Sequence, residues 1–198
     1  MIKFLFSALL ILIIAMLAMI GADNFIYSHL PHSAVITDFF KYFTLIADEI
    51  VLLILSIIAI AFFYFKKKYH SIILLSFSMI LSYLTGLALK AVIARPRPDS
   101  LIDVSNFSFP SGHAIGSLIF FLVLLYSFKE DIKNKILKYS FISLCIILPL
   151  LVGFSRIYLQ AHYFSDVIAG FAIAIFWLGF IMKSNFIRYL YRFFIRFK

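Results

Sequence analysis

Two histidines and one aspartate have the types and the spacing that transfer of a phosphoryl group to water would need. His162 and Asp166 are four positions apart, so on a helix the two side chains share one face. The carboxylate can then hold the Nδ1–H of the imidazole and leave Nε2 free to attack, as the acid of a catalytic triad does. His113 is a second imidazole, and it could give a proton to a leaving oxygen.

Four cations and one helix start could hold the phosphate on which such histidines would act. Arginine binds phosphate oxygens with two parallel hydrogen bonds, and lysine adds a compact charge. Ser111 is a good N-cap and Gly112 lets a backbone come close, so a helix that starts here would direct free N–H groups at an anion. The four cations are Lys90, Arg95, Arg97 and Arg156.

Each of these residues also has a plainer interpretation when it is taken alone. Lys90 could extend to the membrane surface from a helix end, and Arg95-Pro96-Arg97-Pro98 could be a stiff turn. Ser111 could only cap a helix, and His162 could only be hydrogen bonded to Asp166. Together they predict a phosphate site, provided that the fold brings them to one place.

The elements that position these residues are membrane helices. The 198 residues are 64% hydrophobic and only 14% charged, with a mean hydropathy of +1.07. Soluble domains are about 45–50% apolar and about 25% charged, so the composition excludes a soluble enzyme, a disordered chain and a coiled coil. Six apolar runs approach the length of a span, which predicts an all-α integral membrane bundle of six transmembrane helices. The runs are Phe4–Ile20, Ile50–Phe65, Ile72–Leu89, Ala114–Phe128, Phe141–Phe154 and Val167–Met182.

The distribution of charge predicts the orientation of this bundle. With six spans, thirteen of the 18 Lys and Arg residues lie at the termini and in the connections after the second and fourth spans. The positive-inside rule places this side, with both termini, in the cytoplasm. The net charge of +9 therefore reflects topology, and no nucleic acid partner is predicted. Strict alternation of the spans brings the two histidines, Asp166 and the four cations to the opposite, external face.

The remaining polar features predict no further site. His29 and His32 are three positions apart in the external segment 23–48, but without a third ligand we expect no metal there. That segment is apolar enough to lie along the membrane surface. Cys145 is the single cysteine, so no internal disulfide forms. The basic, aromatic tail from Lys183 to Lys198 is expected to be an interfacial helix on anionic lipid.

The spacing of these residues resembles the three-part signature of the type 2 phosphatidic acid phosphatase (PAP2) superfamily. The first part is Lys90-x6-Arg97-Pro98, the second is Pro110-Ser111-Gly112-His113, and the third is Ser155-Arg156-x5-His162-x3-Asp166. Every signature position is matched, and Arg95 is an extra base that the signature does not require. The resemblance covers residues 90–166 directly and, through the six-helix plan, implies one domain over residues 1–198.

The resemblance implies a role for each of these residues. His162 would be the nucleophile that forms a phosphohistidine, Asp166 would orient it, and His113 would protonate the leaving group and then activate water. Ser155 would support the turn at Arg156. Members of this family need no metal or other cofactor, and the external acids show no spacing suited to a two-metal site. The phosphoryl oxygens would be bound by Lys90, Arg97, Ser111, Gly112 and Arg156.

An external site framed by lipid-facing helices favours an amphiphilic phosphate as substrate. We expect a bacterial inner-membrane enzyme, surrounded by membrane lipids, whose site faces the periplasm or the extracellular side. Undecaprenyl pyrophosphate and the lipid A phosphates lead among the substrates that the resemblance offers, with phosphatidylglycerol phosphate and phosphatidic acid as alternatives. Two other functions stay open: a lipid phosphotransferase with the same chemistry, and a non-catalytic transporter of lipid phosphate or another anion. A transporter needs neither histidine, and it usually binds its substrate near the membrane midplane.

Overall fold

The computed structural model describes residues 20–31, 33–104 and 106–183. In these ranges the chain forms seven α-helices and one 3-10 segment, Thr44–Ala47, and no strand. The helices are α1 (Ile20–His29), α2 (Ala34–Phe43), α3 (Glu49–Phe65), α4 (Tyr69–Ile93), α5 (Gly112–Phe128), α6 (Lys135–Tyr158) and α7 (Phe164–Lys183).

Five of the six predicted spans correspond to helices α3 to α7, which confirms the all-α membrane fold. Helices α4 and α6 extend beyond the apolar runs at both ends, because polar residues continue the helical hydrogen bonding there. At the start of α6, for example, the Asn134 side chain accepts a hydrogen bond from the Leu137 N–H at 3.1 Å. The first predicted span, Phe4–Ile20, lies outside the described residues except for Ile20, and so does the basic tail after Lys183.

Three helices of the described chain are long and apolar enough to cross a membrane by themselves, namely α4, α6 and α7. The segment Ala34–Ala47 and α3 together qualify as a fourth span with a bend of 45°. Helix α5 is equally apolar but has 17 residues. Large apolar side chains such as Ile54, Ile58 and Ile147 are exposed on the outer faces of these helices, where lipid would cover them.

Helix α5 lies in the middle of the bundle and packs against α3, α4, α6 and α7. Ile119 and Val123 are fully buried on it, together with Leu74 of α4 and Ile173 of α7. Near the start of α5, the backbone of α7 comes so close that a Cβ on Gly170 would lie 2.8 Å from the Ser111 carbonyl oxygen. The beginnings of α5 and α7 are therefore held in direct contact.

Helix α2 is amphipathic and packs on the end of α6. Phe40 is buried against Tyr158, and the Ser33 N–H donates to the Tyr158 hydroxyl at 3.0 Å. Val35 and Phe39 point outward and are exposed. This pattern suits a helix at a membrane surface, and that location stays a prediction for this part of the segment 23–48. The beginning of the segment differs from the prediction, because Asp23 is buried inside the protein.

Candidate active site

The structure brings all the predicted site residues to one end of the bundle. Lys90 lies in the last turn of α4, Arg156 in the last turn of α6, and Asp166 in the first turn of α7. Three of the residues stand at the start of α5: Ser111 is its N-cap, and Gly112 and His113 begin the helix. Arg97 and His162 lie in the connections after α4 and α6.

The connection after α4 is shaped by its own sequence. Ala94 has a left-handed backbone with φ of 47°, and its N–H donates to the Lys90 carbonyl, so the helix ends there. Two prolines then prevent the helix from resuming. The loop is fastened to itself farther on, where the Ser108 N–H donates to the Arg95 carbonyl at 2.9 Å. The result is an extended stretch that brings Arg97 to the connection before α7, where its Nη1 donates to the Ala161 carbonyl at 2.6 Å.

His162 lies between a cation and a carboxylate. Its Nε2 is 3.1 Å from Nη1 of Arg97, and its Nδ1 is 3.5 Å from Oδ2 of Asp166. Because a guanidinium only donates, Nε2 must be the acceptor and the ring proton must be on Nδ1, facing the carboxylate. The Nδ1–Oδ2 distance exceeds that of a formed hydrogen bond, and contacts of this kind tighten when a substrate is bound.

Burial keeps the imidazole of His162 neutral. Only 3% of the residue is exposed, and this loss of solvation lowers its pKa to about 4. Asp166 opposes the shift, whereas the positive charges of Arg156 and Arg97 lower the pKa further. At neutral pH Nε2 is therefore unprotonated, and its lone pair can attack an electrophile when the Arg97 donor turns from Nε2 to an oxygen of that electrophile.

Arg97 and Arg156 lie close to this imidazole, and Lys90 is joined to Arg97 through Asn106. We call Lys90, Arg97 and Arg156 the cation cluster. Each donates only to neutral acceptors within the described part of the chain: the Lys90 amine and Arg97 Nη2 share Oδ1 of Asn106, at 3.1 and 2.8 Å. Arg156 is almost completely buried, and its Nε has no hydrogen-bond partner among the described residues. A buried donor without a partner is costly, and a phosphoryl oxygen is the kind of acceptor that would satisfy it.

The start of α5 faces the same region. The Ser111 hydroxyl oxygen accepts from the Ala114 N–H at 3.4 Å, so the predicted N-cap is present. The Ser111 N–H itself donates to the Asp166 carbonyl oxygen at 3.1 Å. His113 is partly buried and lies within electrostatic range of His162 and the whole cation cluster. The structure thus places the second imidazole in the first turn of α5, whereas the first lies in the connection before α7.

Two residues that hold the cation cluster were missed in the sequence. Asn106 joins Lys90 to Arg97, and its backbone carbonyl also accepts from Arg97 Nε at 3.1 Å. Thr44, in the 3-10 segment, accepts from Arg156 Nη1 at 3.2 Å. Neither residue belongs to a pattern that single-sequence analysis could recognise: Thr44 is 112 positions from Arg156, and Asn106 acts on Arg97 across nine positions of an irregular loop.

Two of the sequence-based expectations need adjustment. Arg95 turns away from the cation cluster and pairs with Asp166 at 2.7 Å, so it is not a spare surface charge. The Ser155 side chain donates to the Val152 carbonyl within α6, and the support it gives to the end of the helix comes from its backbone carbonyl, which accepts from the Leu159 N–H at 2.9 Å.

An apolar groove with a volume of about 830 Å³ leads from the cation cluster along the bundle between α3 and α4, with α5 at its base. Apolar side chains such as Leu53, Ile80 and Leu87 line its length. Its polar end is formed by Lys90 and Asn106 together with Glu49 and Gly112. The groove is thus charged at the end next to the site. The rest of it is apolar, as the chains of a lipid would require.

No metal site is found in the part of the chain that the structure describes. No three His, Cys, Asp or Glu side chains come together there in a way that could hold a metal ion. His29 Nδ1 donates to the Phe25 carbonyl at 2.8 Å and lies 2.9 Å from the Ser28 hydroxyl, and His32 lies outside the described residues.

Comparison with known proteins identifies relatives with the same fold. The family model of the PAP2 superfamily matches residues 71–189. Phosphatidylglycerophosphatase B of Bacillus subtilis (strain 168) is 32% identical, over 70% of this chain and 68% of that protein. Probable lipid phosphate phosphatase 4 of Arabidopsis thaliana is 25% identical over 60% of this chain, and the match spans half the length of that protein.

Two solved structures are similar over most of the chain. One is the crystal structure of a transmembrane PAP2 type phosphatidylglycerolphosphate phosphatase from Bacillus subtilis, with a TM-score of 0.75 and 26% identity, covering 90% of this chain and 92% of that one. The other is LpxE of Aquifex aeolicus, with a TM-score of 0.63 and 22% identity, covering 83% of this chain and 94% of that one. At that identity, the second similarity concerns the fold alone.

Proposed function

Since the chain belongs to the PAP2 superfamily and is a membrane hydrolase of phosphate esters, we propose that it removes phosphate from a lipid through a phosphohistidine on His162. The observation that carries the proposal is the position of His162, whose neutral Nε2 faces Arg97 at 3.1 Å while Asp166 stands behind Nδ1 at 3.5 Å. A nucleophile that faces cations can attack a phosphoryl group held by those same cations.

In the proposed reaction the cation cluster binds the phosphoryl oxygens, and the Ser111 hydroxyl and Gly112 backbone add hydrogen bonds. Charge builds on these oxygens as the phosphoryl group moves, so fixed cations stabilise the transition state more than the ground state. The unpartnered Nε of Arg156 and the neutral partners of Lys90 support this role. In the described chain Asp48, Glu49 and Asp166 lie within electrostatic range of the cluster, but none of them forms an ion pair with it, so its N–H donors remain available to an anion.

The two histidines have different tasks in this reaction: His162 is the nucleophile, and His113 carries out the proton transfers. Nε2 of His162 forms a bond to phosphorus while the bond from phosphorus to the leaving oxygen breaks. His113 stands among the cations of the site, so it takes up its proton only when the negative phosphate offsets their charge, and it then gives this proton to the leaving oxygen. His113, now neutral, takes a proton from water, and the resulting hydroxide attacks phosphorus and breaks the P–N bond. Phosphate leaves, and His162 is neutral again. Asp166 stabilises the positive ring of the phosphohistidine through Nδ1–H.

The substrate that we propose is a lipid whose chains lie in the apolar groove while its phosphate reaches the cation cluster. The groove is about 830 Å³ in volume, and its polar end carries Lys90 and Asn106. Similarity to phosphatidylglycerophosphatase B of Bacillus subtilis makes phosphatidylglycerol phosphate the first lipid to test. Undecaprenyl pyrophosphate, the lipid A phosphates and phosphatidic acid follow it.

We further propose that the whole chain, residues 1–198, is one domain in a bacterial inner membrane with both termini in the cytoplasm and the site outside. The thirteen Lys and Arg residues on the opposite side support this orientation. A cysteine introduced next to Asp99, in the loop that carries Arg97, should react with an impermeant reagent added outside the cell. Reaction from the cytoplasmic side only would invert the orientation.

The function is tested by phosphate release from these lipids in detergent, with and without EDTA. Replacing His162 by Ala should lower kcat by on the order of 10⁴-fold or more, and replacing His113 by Ala by about 10²–10⁴-fold. His29→Ala is the matched control, because His29 is exposed on α1 and has only local partners. Full turnover in His162→Ala would overturn the nucleophile assignment, and loss of wild-type activity in EDTA would point to a metal mechanism.

The same assay separates the other two functions. A phosphotransferase would consume the lipid phosphate and release inorganic phosphate only slowly unless a second lipid alcohol were supplied. A transporter would move radiolabelled lipid phosphate or inorganic phosphate across a vesicle membrane and hydrolyse none of it. Both alternatives would leave the cation cluster as a binding site, but only the transporter would be unaffected by His162→Ala.

A further inference from the structure

The signature assigns no role to Arg95, but in the structure its side chain has several hydrogen-bond partners. Its Nη1 donates to Oδ1 of Asp166 and to the Ser165 hydroxyl, both at 2.7 Å. Its Nη2 donates to Oδ2 of Asp23 at 2.8 Å. The guanidinium also covers the ring of Tyr163, 4.0 Å from the ring centroid. Both terminal nitrogens are therefore engaged, and 16% of the side chain is exposed.

Asp23 fixes the far side of this guanidinium. It lies on α1 and is 1% exposed, although it is charged. Its Oδ1 accepts from the Ser165 N–H at 2.9 Å, and its Oδ2 accepts from Arg95 and, in a short hydrogen bond, from the Ser165 hydroxyl. A buried carboxylate persists only when it is paired and hydrogen bonded. Asp23 precedes residue 71, where the match to the family model begins.

The two oxygens of Asp166 have separate partners because of Arg95. Arg95 holds Oδ1, and the Tyr163 N–H donates to Oδ2 at 3.0 Å. Oδ2 is the oxygen that faces Nδ1 of His162. Because Arg95 holds Oδ1 and the Tyr163 N–H holds Oδ2, rotation of the carboxylate about χ2 would break both hydrogen bonds. The oxygen that faces the imidazole is therefore kept in place.

We infer that Arg95, anchored by Asp23, is a positioning residue that fixes the Asp166 carboxylate behind the nucleophile His162. The inference rests on the proposed function, because it assigns Arg95 a task in orienting the nucleophile. Arg95 does not bind the phosphate, since its terminal nitrogens are already paired with two carboxylates and a hydroxyl. Its loss would free Oδ1 of Asp166, and displacement of a catalytic group by about 1 Å can lower a rate by about 10²-fold.

The test compares Arg95→Gln, Arg95→Lys and Asp23→Asn with the wild type in steady-state kinetics on a lipid phosphate that the wild type hydrolyses. The inhibition constant of inorganic phosphate is measured for each variant, because it reports on the cation cluster alone. Asp38→Asn and Asp99→Asn are the controls: each removes an exposed external carboxylate of α2 or of the loop after α4. Rates are expressed per folded protein, which is measured by protection of the buried Cys145 from a thiol reagent.

We expect Arg95→Gln to lower kcat on the order of 10²-fold while KM and the phosphate inhibition constant stay at their wild-type values. Arg95→Lys should regain part of the rate, because lysine keeps the charge but cannot span both carboxylates. Asp23→Asn should lower kcat less, by about tenfold. In an Asp166→Asn background, Arg95→Gln should cost nothing further, because both substitutions remove the same interaction.

An unchanged kcat in Arg95→Gln would overturn the inference. So would a weaker binding of inorganic phosphate that matches the loss of rate, or a full additional loss in the Asp166→Asn background. If Arg95→Gln does not fold, Asp23→Asn decides by the same criteria. A wild type that releases no phosphate from any lipid refutes the proposed function, and the inference falls with it; an active wild type that the Arg95 and Asp23 variants equal refutes the inference alone.

Discussion

Gly170 offers a test of whether the packing of α7 on α5 determines the geometry of the site. A Cβ at this position would lie 2.8 Å from the Ser111 carbonyl oxygen and 3.0 Å from Cβ of Ala114. The Ser111 backbone begins α5 next to His113, and its N–H is bonded to the Asp166 carbonyl. The substitution Gly170→Ala would therefore push apart the two helix starts that carry the histidine of one motif and the aspartate of another.

The size of the effect follows from the distances. Ordinary contact requires the Ser111 oxygen to move by roughly half an ångström, and since about 1 Å can cost 10²-fold, kcat should fall by about tenfold. Overpacking costs about 1–3 kcal/mol, and alanine returns about 0.5–1 kcal/mol relative to glycine in a helix. At the middle of both ranges the net loss is about 1 kcal/mol, which should lower Tm by about 2–4 °C in a chain of this size.

The assay follows both quantities on one preparation. Thermal unfolding in detergent is recorded with a fluorogenic thiol reagent, since Cys145 is the single cysteine of the chain and is buried. Phosphate release is measured on the same samples. Gly179→Ala is the matched control on the same helix, because a Cβ there meets nothing within 4 Å. Gly170→Ala with the Tm and kcat of the wild type, or equal losses in Gly179→Ala, would refute the reasoning.

Three further predictions concern the partners of the site residues. Thr44→Val removes the acceptor of Arg156 Nη1 at 3.2 Å, so KM should rise by up to about tenfold in steady-state kinetics; an unchanged KM would show that Thr44 does not hold the guanidinium. Asn106→Asp places a carboxylate where the amide oxygen now accepts from Arg97, so it should compete with phosphate and weaken inhibition by inorganic phosphate at least tenfold, whereas Asn106→Gln should not. Because burial lowers the pKa of His162 from 6.5 to about 4, the unfolded chain takes up the proton first, and stability should be full above about pH 6.5 and fall as the pH drops toward 4. Unfolding midpoints of His162→Asn should vary less over this range, and an equal pH dependence in both proteins would contradict the shift.

The apolar runs predicted most of the fold because lipid leaves the chain little choice. A run that crosses a bilayer must satisfy its backbone internally, and a helix does so. The helix ends were harder to predict, since α6 begins at Lys135 and ends at Tyr158, beyond the apolar run on both sides. An apolar run ends at the first polar residue. A helix can continue past that residue until a capping residue, or a residue with a left-handed backbone such as Ala94, ends it.

The site could be predicted as far as alternation of the spans determines it. Alternation alone places the ends of α4 and α6 and the starts of α5 and α7 on one face, and the structure brings the motifs together there. No such rule predicts the residues that hold the site in place. Asp23 reaches Arg95 across 72 positions and Thr44 reaches Arg156 across 112, and each residue type is common and has no recognisable spacing.

Arg95 and Arg97 show why residue type alone does not decide which base can serve the proposed phosphate site. The two arginines are separated by one proline in an extended loop, and both side chains are partly buried. Arg95 donates to two carboxylates, so its charge is already neutralised by the protein. Arg97 donates only to neutral acceptors: the Ala161 carbonyl, the Asn106 amide oxygen and carbonyl, and His162 Nε2. An anion gains most from a fixed cation whose charge is not already compensated. The requirement for a base at position 97 rather than at 95 is thus set by the neighbours of the two guanidinium groups, and only the folded chain brings those neighbours into place.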